Sequence, residues 1–236
     1  MNAMGSDVWW RFHGLVFREP LFMSFVVSLL ISALALWLRR GLNRPGREPS
    51  AFVEALYTLM HDAVADVVPA QDVESVLPFV GTLWLFILLS NLLGLVPGLS
   101  SPTRDLSVTS ALAVIVFVAV HFYGVRAAGW AQYLKHYLSP NPILLPFHLV
   151  SEVTRTVALA VRLFGNMMSL QMAAVLVLLV AGLLVPVPLL LLHVIEALVQ
   201  AYIFGMLALI YIGSALEVSH DRLASRGTPA TDPPHT

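Results

Sequence analysis

The sequence contains a series of apolar stretches that reach the length of a membrane crossing, and this feature constrains the fold more than any other. A helix needs about 20 predominantly apolar residues to cross the hydrocarbon core of a bilayer. Three stretches meet that length, at residues 21–38, 77–96 and 106–125. Over the whole chain 58% of residues are hydrophobic and 11% are charged, against about 25% charged residues in a soluble domain. The expected fold class is therefore all-α, a polytopic integral membrane protein.

The C-terminal part predicts a helical hairpin that is longer than a bilayer is thick. Residues 143–185 contain no strong helix breaker after Pro146, and at ~1.5 Å per residue such a helix far exceeds a ~30 Å core, so it must tilt or bend. The segment VPVP, which ends at Pro188, interrupts the pattern because proline removes a backbone donor. A last helix at residues 189–216 completes the hairpin, which brings the expected number of membrane-embedded helices to about five.

Residues 50–74 differ from the membrane-length stretches because their apolar positions follow one face of a helix. Phe52, Leu56 and Leu59 recur at helical spacing, while Glu54 and Asp62 lie elsewhere on the helical wheel. This pattern predicts an amphipathic helix at the membrane interface.

Basic residues predict the orientation, because loops kept in the cytoplasm are enriched in Lys and Arg. They cluster after the first, third and last membrane stretches: Arg39, Arg40, Arg44, Arg47, Arg126, Lys135, Arg222 and Arg226. The loop after the second stretch has only Arg104. Five crossings, with the N-terminus outside and the C-terminus in the cytoplasm, place all the clusters on one side. The first twenty residues lack the pattern of a removable signal peptide, and no transit peptide is seen, so a bacterial inner membrane is the expected location.

Several kinds of chemistry are excluded by composition. The chain has no cysteine, which removes disulfides, thiol catalysis and cysteine-ligated metals, and its net charge of −1 gives no reason to expect a nucleic-acid partner. There is no phosphate-binding loop of the G-x-x-x-x-G-K-[ST] kind. His121 has no second histidine or acid one turn away, so it is interpreted as a packed histidine rather than as a metal ligand. No cofactor or metal is expected.

Arg162 places a charge in an otherwise apolar segment, with no acidic residue within nine positions on either side. An arginine at the centre of a membrane helix costs ~2.5–3.5 kcal/mol on insertion scales, and such charges usually mark an ion pathway. The alternative is that the guanidinium reaches a lipid headgroup or pairs with a structural acid. Helical spacing places Asn166 and Ser169 on the same face as Arg162.

The last helix carries a second polar stripe. His193, Glu196 and Gln200 fall at positions i, i+3 and i+7, and Tyr211 continues near the same face. A buried hydrogen-bonded cluster that fixes helix packing would explain the stripe. A carboxylate and an imidazole one turn apart can also pass protons when water reaches them, which favours a hydrated path beside the arginine.

These residues carry a resemblance to a known family. The segments RLFGNMM, which begins at Arg162, and LWLFILLSNLLGLVPG, which ends at Gly98, together with Gln200, resemble the a subunit of F-type ATP synthases, and the match covers about residues 78–216. The resemblance implies a stator subunit that passes H⁺ or Na⁺, through two half-channels, to and from the carboxylates of a rotating ring of c subunits. It implies that Arg162 faces the ring carboxylate and separates the half-channels, with Gln200 beside it. Nucleotide chemistry would then lie on other subunits, and the partners would be the c-ring, the peripheral-stalk b subunits and the bilayer.

The chain departs from that family at two positions. Some relatives have a carboxylate where this chain has Gln171 and another where it has Gly94. The outer path is therefore expected to rely on Glu196 with His193. On the cytoplasmic side Glu152 is a candidate, although an ion pair between Glu152 and Arg155 is an equally good explanation. The residues expected to line the path are Gln200, Glu196, His193, Asn166, Gln171, Ser169, His148, Glu152 and Asn91.

The resulting organisation has four segments. They are an N-terminal segment with the first transmembrane helix at 1–49, an interfacial helix and loop at 50–74, an ion-channel membrane domain at 75–218, and a disordered cytoplasmic tail at 219–236. Trp9, Trp10, Trp84 and Trp130 are interpreted as interface anchors, and Met167, Met168 and Met172 as packing residues. A stand-alone proton-coupled secondary transporter is the rival function, although the repeated halves common in such transporters are not seen. A purely structural assembly subunit is a third possibility.

Overall fold

A computed structural model describes residues 8–12, 15–42, 51–96, 99, 101–130, 145–181 and 186–227. Within these ranges the α-helices are α1 (Glu19–Leu42), α2 (Ala51–Ala65), α3 (Val73–Leu93), α4 (Leu106–Ala128), α5 (Leu145–Ala181) and α6 (Pro186–Gly227), and a 3-10 helix at Pro102–Arg104 precedes α4. Four segments have the length and apolar composition of a membrane span: Glu19–Arg40, Val73–Leu93, Leu106–Ala127 and Pro188–Glu217. With the long helix α5, they confirm the predicted helical, polytopic fold.

A two-stranded hairpin that the sequence did not predict precedes α1. Strand β1 (Val8–Phe12) pairs antiparallel with β2 (Leu15–Arg18), and the register is irregular between Val8 and Trp10. Valine, tryptophan and phenylalanine favour strands, which gives this short segment its local preference.

Helix ends follow local signals. The carboxylate of Asp105 accepts a hydrogen bond from the backbone N–H of Ser107, 2.8 Å away, and so caps the start of α4. At the other end Gly129 has a φ of 81°, a backbone conformation in which glycine meets no steric penalty. Helix α3 ends at Leu93, before the predicted residue 96, because the N–H of Gly94 turns back to the carbonyl of Asn91 at 3.2 Å.

The two C-terminal helices form the predicted long pair. Helix α5 has 37 residues, which corresponds to about 55 Å, well above a ~30 Å bilayer core. Residue 185, the first of the predicted VPVP break, lies outside the described residues, and α6 begins with Pro186, a position where proline is tolerated. Residues 219–227, predicted to be disordered, are helical. Leucine, alanine and arginine favour the helix there, and it ends at Gly227.

The core lies between α3, α4, α5 and α6. Its largest fully buried side chains include Ile87, Val116, Leu163 and Phe204. A second cluster forms where α2 and the turn after it pack against α3 and α6, with Val64 fully buried. These two clusters hold the membrane helices in a fixed arrangement around the polar residues.

Trp84 is a packing residue, so its interpretation as an interface anchor is wrong. Its ring is buried and stacks on Tyr202 of α6, with ring centroids 6.4 Å apart and planes 8° apart. The indole N–H donates to the carbonyl of Tyr202 at 3.4 Å. Gly205, one turn further along α6, has no side chain that would occupy the same space. Trp130, by contrast, is exposed.

Candidate functional site

Helix α5 has one buried face and one exposed face, and this division positions the candidate arginine. Leu159, Leu163 and Met167 are buried against the neighbouring helices. The exposed face carries residues three or four positions apart, which lie above one another along a helix. We call this row the α5 stripe; its members are Ala158, Arg162, Gly165, Ser169, Met172 and Leu176.

Arg162 lies in the middle of the α5 stripe, exposed at the surface of the chain. Among the described residues no carboxylate lies within 4.0 Å of its guanidinium. The residues beside it on the stripe, Ala158, Gly165 and Ser169, are small. Apart from the backbone of its own helix and its two neighbours in sequence, a Cβ atom built on Gly165 would meet no atom of the described residues within 4 Å. The charge therefore stands in an open, shallow part of the surface.

One turn from Arg162, a hydrogen bond joins α5 to α6. The side-chain N–H of Asn166 donates to the amide oxygen of Gln200, 2.5 Å away. Gln200 is 1% exposed, so this polar contact is shielded from solvent and stronger than it would be in water. Two residues that the sequence predicted to line the path, 34 positions apart, are thus brought together.

His193 and Glu196 continue from Gln200 along α6 toward Pro186. Both side chains are half-buried. The Nε2 atom of His193 is buried, and no partner for it is found within the part of the chain that the structure describes. A buried polar atom of this kind is normally satisfied by water or by another molecule.

Near the start of α5, Glu152 contacts a residue that sequence reasoning treated as packing. Its Oε2 atom lies 3.1 Å from Nε2 of His121 on α4. Arg155, one turn along α5, lies over the ring of Tyr211 on α6, 5.1 Å from its centroid. His121 also packs against Phe117 on its own helix, with ring centroids 4.3 Å apart, so it is a packed histidine that has an acidic neighbour as well. Spacing within α4 does not indicate Glu152, because Glu152 is on another helix.

Asn91 lies in a separate buried cluster at the end of α3. Its amide oxygen accepts a hydrogen bond from the Thr103 hydroxyl at 2.6 Å, and that hydroxyl is 2.6 Å from the Ser101 hydroxyl. A Cβ atom on Gly94 would lie 2.9 Å from Cβ of Ser101. A carboxylate side chain at position 94 would therefore not fit this arrangement.

Two further candidates are located only by their backbone. Gln171 and His148 belong to α5, but their side chains lie outside the described residues. Ser169 is exposed on the α5 stripe, two turns from Arg162.

Comparison with known proteins gives one consistent result. The sequence model of the family described as ATP synthase A chain matches residues 21–213. The chain is 54% identical over 202 residues to ATP synthase subunit a of Legionella pneumophila, covering 86% of each chain. It is 52% identical over 217 residues to ATP synthase subunit a 1 of Hahella chejuensis, covering 92% of each. It is 56% identical over 191 residues to ATP synthase subunit a 2 of Pelobacter propionicus, covering 80% of this chain and 83% of that relative.

Proposed function

Because the chain belongs to the ATP synthase A chain family, the a subunits of the membrane Fo sector, we propose that it forms the stationary half of the ion path of that complex. Its two half-channels pass H⁺ or Na⁺ to and from the carboxylates of a rotating c-ring, and Arg162 separates them electrostatically. The membrane helices and the bacterial relatives support a location in a bacterial inner membrane.

The observation that carries the proposal is the exposure of Arg162 on the α5 stripe. A guanidinium that faced lipid at the centre of a span would cost ~2.5–3.5 kcal/mol or more. A carboxylate presented by a neighbouring subunit offsets this cost. The open space beside Gly165 lets a neighbouring helix approach. A ring of identical subunits supplies such a carboxylate repeatedly as it turns.

The charge of Arg162 acts on a ring carboxylate in the same way for either direction of ring rotation. A fixed cation favours the ionised form of a nearby carboxylate, so a ring site that arrives loaded with its ion releases it. A guanidinium stays protonated at physiological pH, so it does not carry the proton across the barrier itself. Ions must then enter and leave on different sides of Arg162.

Polar residues on either side of Arg162 supply the two half-channels. Glu196 and His193 lie on the outer side, and Gln200 with Asn166 lies beside the arginine. Glu152 lies on the cytoplasmic side. The other residues proposed to line the path within the ion-channel domain, residues 75–218, are Ser169, Gln171, His148 and Asn91.

The orientation follows from the distribution of basic residues. The N-terminus is outside and the C-terminus is cytoplasmic, because the Arg-rich and Lys-rich loops then all face the cytoplasm. A reporter fused after Thr236 is expected to be cytoplasmic, and one inserted at Ser100 is expected to be exported. A cytoplasmic reporter at Ser100 would contradict this topology. The peripheral-stalk b subunits are the further partners of this arrangement.

The deciding experiment replaces Arg162 in the assembled complex. Arg162→Ala and Arg162→Gln are expected to stop both ATP-driven pumping and ion-driven synthesis, because the ring carboxylate loses the charge that favours its ionised form. Arg162→Lys is expected to substitute poorly, since an ammonium lacks the planar fork and is more easily deprotonated. Arg39→Gln, at an exposed end of α1, is the matched arginine control.

Loss of activity is informative only if the variant complex contains its c-ring, so copurification of the ring is measured in parallel. Passive ion leak through the assembled Arg162→Ala complex would support the separating role. Pumping at the normal rate would exclude it. A chain that is active without any ring would favour a stand-alone transporter.

A further inference from the structure

The contact between His121 and Glu152 joins two titratable side chains on different helices, at the cytoplasmic end of the bundle. The Nε2 atom of His121 lies 3.1 Å from Oε2 of Glu152, and the two side chains are 31% and 20% exposed. The other ring nitrogen, Nδ1, lies 2.8 Å from the backbone carbonyl of Phe117. Both ring nitrogens are therefore within hydrogen-bond distance of oxygen atoms.

These two distances show which ring nitrogen faces the carboxylate. A carbonyl oxygen only accepts hydrogen bonds, so the Nδ1 atom that contacts Phe117 carries a proton. The Nε2 atom is then the ring nitrogen that faces the Glu152 carboxylate, 3.1 Å from its Oε2 atom.

Cavities meet on the two sides of His121. One, of about 600 Å³, is lined by His121, Arg126 and Trp130, among others, at the far end of α4. The other, of about 20 Å³, is lined by His121, Glu152, Arg155, Thr156 and Tyr211, among others. A volume above ~10–15 Å³ admits one water molecule where polar partners are present. The contact therefore lies between a small cavity that has both polar and apolar lining residues and a wide cleft whose other lining residues are Val118, Phe122 and Val125.

The small cavity borders the part of α5 that follows Glu152. Thr156 and Leu159, which line it, come after Glu152 on α5 and precede Arg162. Ten positions separate Glu152 from Arg162, about 15 Å along a helix. The pair is therefore set back from the arginine and does not contact it.

We propose that His121 and Glu152 form a proton relay in the cytoplasmic half of the ion path. The inference rests on the proposed function and names the groups that move the proton there. For each proton that a water molecule on the Arg162 side gives to the pair, one N–H or O–H bond forms in the pair. Another N–H or O–H bond of the pair then breaks, and its proton passes to a water molecule in the wide cleft. The pair therefore returns to the same charge after each transfer, and it works equally in the reverse direction.

The groups that face the pair are compatible with this role. Arg155 on α5 lines the same small cavity, so a positive charge lies near the pair. Tyr211 on α6 places its ring under Arg155 and holds the guanidinium there. On α4, Arg126 lines the wide cleft. The Nδ1 atom stays bound to Phe117, so Nε2 is the nitrogen that exchanges protons.

The test uses the complete ATP synthase in liposomes and measures ion translocation as a function of pH on the cytoplasmic side. His121→Gln and Glu152→Gln are each expected to lower the rate about tenfold, within what a positioned acid or base contributes. They are also expected to flatten the dependence on cytoplasmic pH while leaving the dependence on the outer pH unchanged. Combining them is expected to add little, because the two residues act as one unit.

Two further variants distinguish a role of the pair in proton transfer from a purely steric role of its side chains. The exchange of His121→Glu with Glu152→His keeps a titratable pair and is expected to restore most of the rate. His61→Gln is the matched control, since His61 also contacts a carboxylate, Asp62, at 3.5 Å, but on the exposed helix α2. If the exchanged pair translocates ions as slowly as the single variants do, the rate depends on the shapes of the side chains and not on their ability to exchange protons, and the relay is wrong.

The failure of the relay is distinguishable from the failure of the proposed function. Arg162→Gln is measured in the same liposomes. A normal rate in His121→Gln together with a block in Arg162→Gln would overturn the relay alone. A normal rate in both would overturn both. Sodium-driven transport that neither substitution at the pair affects would also overturn the relay, because a sodium path needs no proton acceptor.

Discussion

The same substitution, glycine to alanine, is expected to have opposite effects at two positions of the helical hairpin. At Gly205 on α6 the new Cβ would lie 1.7 Å from Nε1 of Trp84, 2.1 Å from its Cδ1 and 2.6 Å from its Cε2. These contacts are far inside van der Waals distance. The Trp84 ring has little freedom to move away, because it is 8% exposed and stacks on Tyr202. At Gly165 on α5 the new Cβ would meet no atom of another described helix within 4 Å.

The expected free energies follow from these contacts. Replacing glycine by alanine inside a helix gains about 1 kcal/mol of helix propensity at either position. At Gly205 overpacking costs about 1–3 kcal/mol, and displacing the indole loses its hydrogen bond to Tyr202, worth about 1 kcal/mol. Gly205→Ala is therefore expected to destabilise the chain by about 1–3 kcal/mol, whereas Gly165→Ala is expected to stabilise it by up to about 1 kcal/mol.

Thermal unfolding of the purified chain in detergent measures the difference. A change of 1 kcal/mol corresponds to about 2–4 °C in Tm for a chain of this size, so the two variants should separate by several degrees. Combining Gly205→Ala with Trp84→Leu should recover part of the loss, because the smaller side chain removes the clash. If the Tm of Gly205→Ala equals that of Gly165→Ala, the close packing of α3 against α6 described above is wrong.

Three further outcomes are expected. Gly165→Leu should not lower the stability of the isolated chain, because leucine favours a helix more than glycine does. It should reduce ATP-driven pumping in the complex, with Gly165→Ala as the smaller control, because the proposed function requires a neighbouring helix to approach the α5 stripe; normal pumping would contradict that requirement. Glu196→Gln combined with His193→Ala should slow ion translocation without preventing assembly, and an unchanged rate would leave a packing role as the better explanation. Gln200→Leu should lower the free energy of unfolding by about 1–3 kcal/mol, the cost of leaving the Asn166 amide unpaired, and this loss should appear as a lower Tm. Adding Asn166→Leu should recover part of the loss; a simple sum of the two losses would argue against the hydrogen bond.

Helix positions in this chain could be predicted because each depends on a property of a single segment. The span at residues 106–125 has the length and composition of a membrane crossing, and the structure places α4 at Leu106–Ala128. The long helix was predicted because residues 147–181 contain no proline or other strong breaker. Local signals of this kind do not depend on which helix packs against which.

Contacts between helices could not be predicted in the same way. The partner of His121 is Glu152, on another helix, and no periodicity within α4 indicates it. Trp84 was assigned to the interface because tryptophan is common there, but its burial depends on the missing side chain of Gly205, more than a hundred positions later. A correct prediction of either residue required the arrangement of α3, α4, α5 and α6.

Two contacts between α5 and α6 fix the register of the hairpin and with it the positions of the polar groups. Asn166 contacts Gln200, and Arg155 contacts Tyr211, so both helices advance by eleven positions between the two contacts. The two helices therefore run antiparallel at the same rise, and His193 lies at the level of residue 173.

On this scale His193 is about 16 Å from Arg162 along the helix axis, and Glu152 is about 15 Å away in the opposite direction. The two titratable sites together span about 30 Å, the thickness of a bilayer core. Neither site reaches the arginine by itself. In the proposed function, a carboxylate that moves past Arg162 on a neighbouring subunit would connect the two sites, and without the ring an ion at one site would have no carrier to the other.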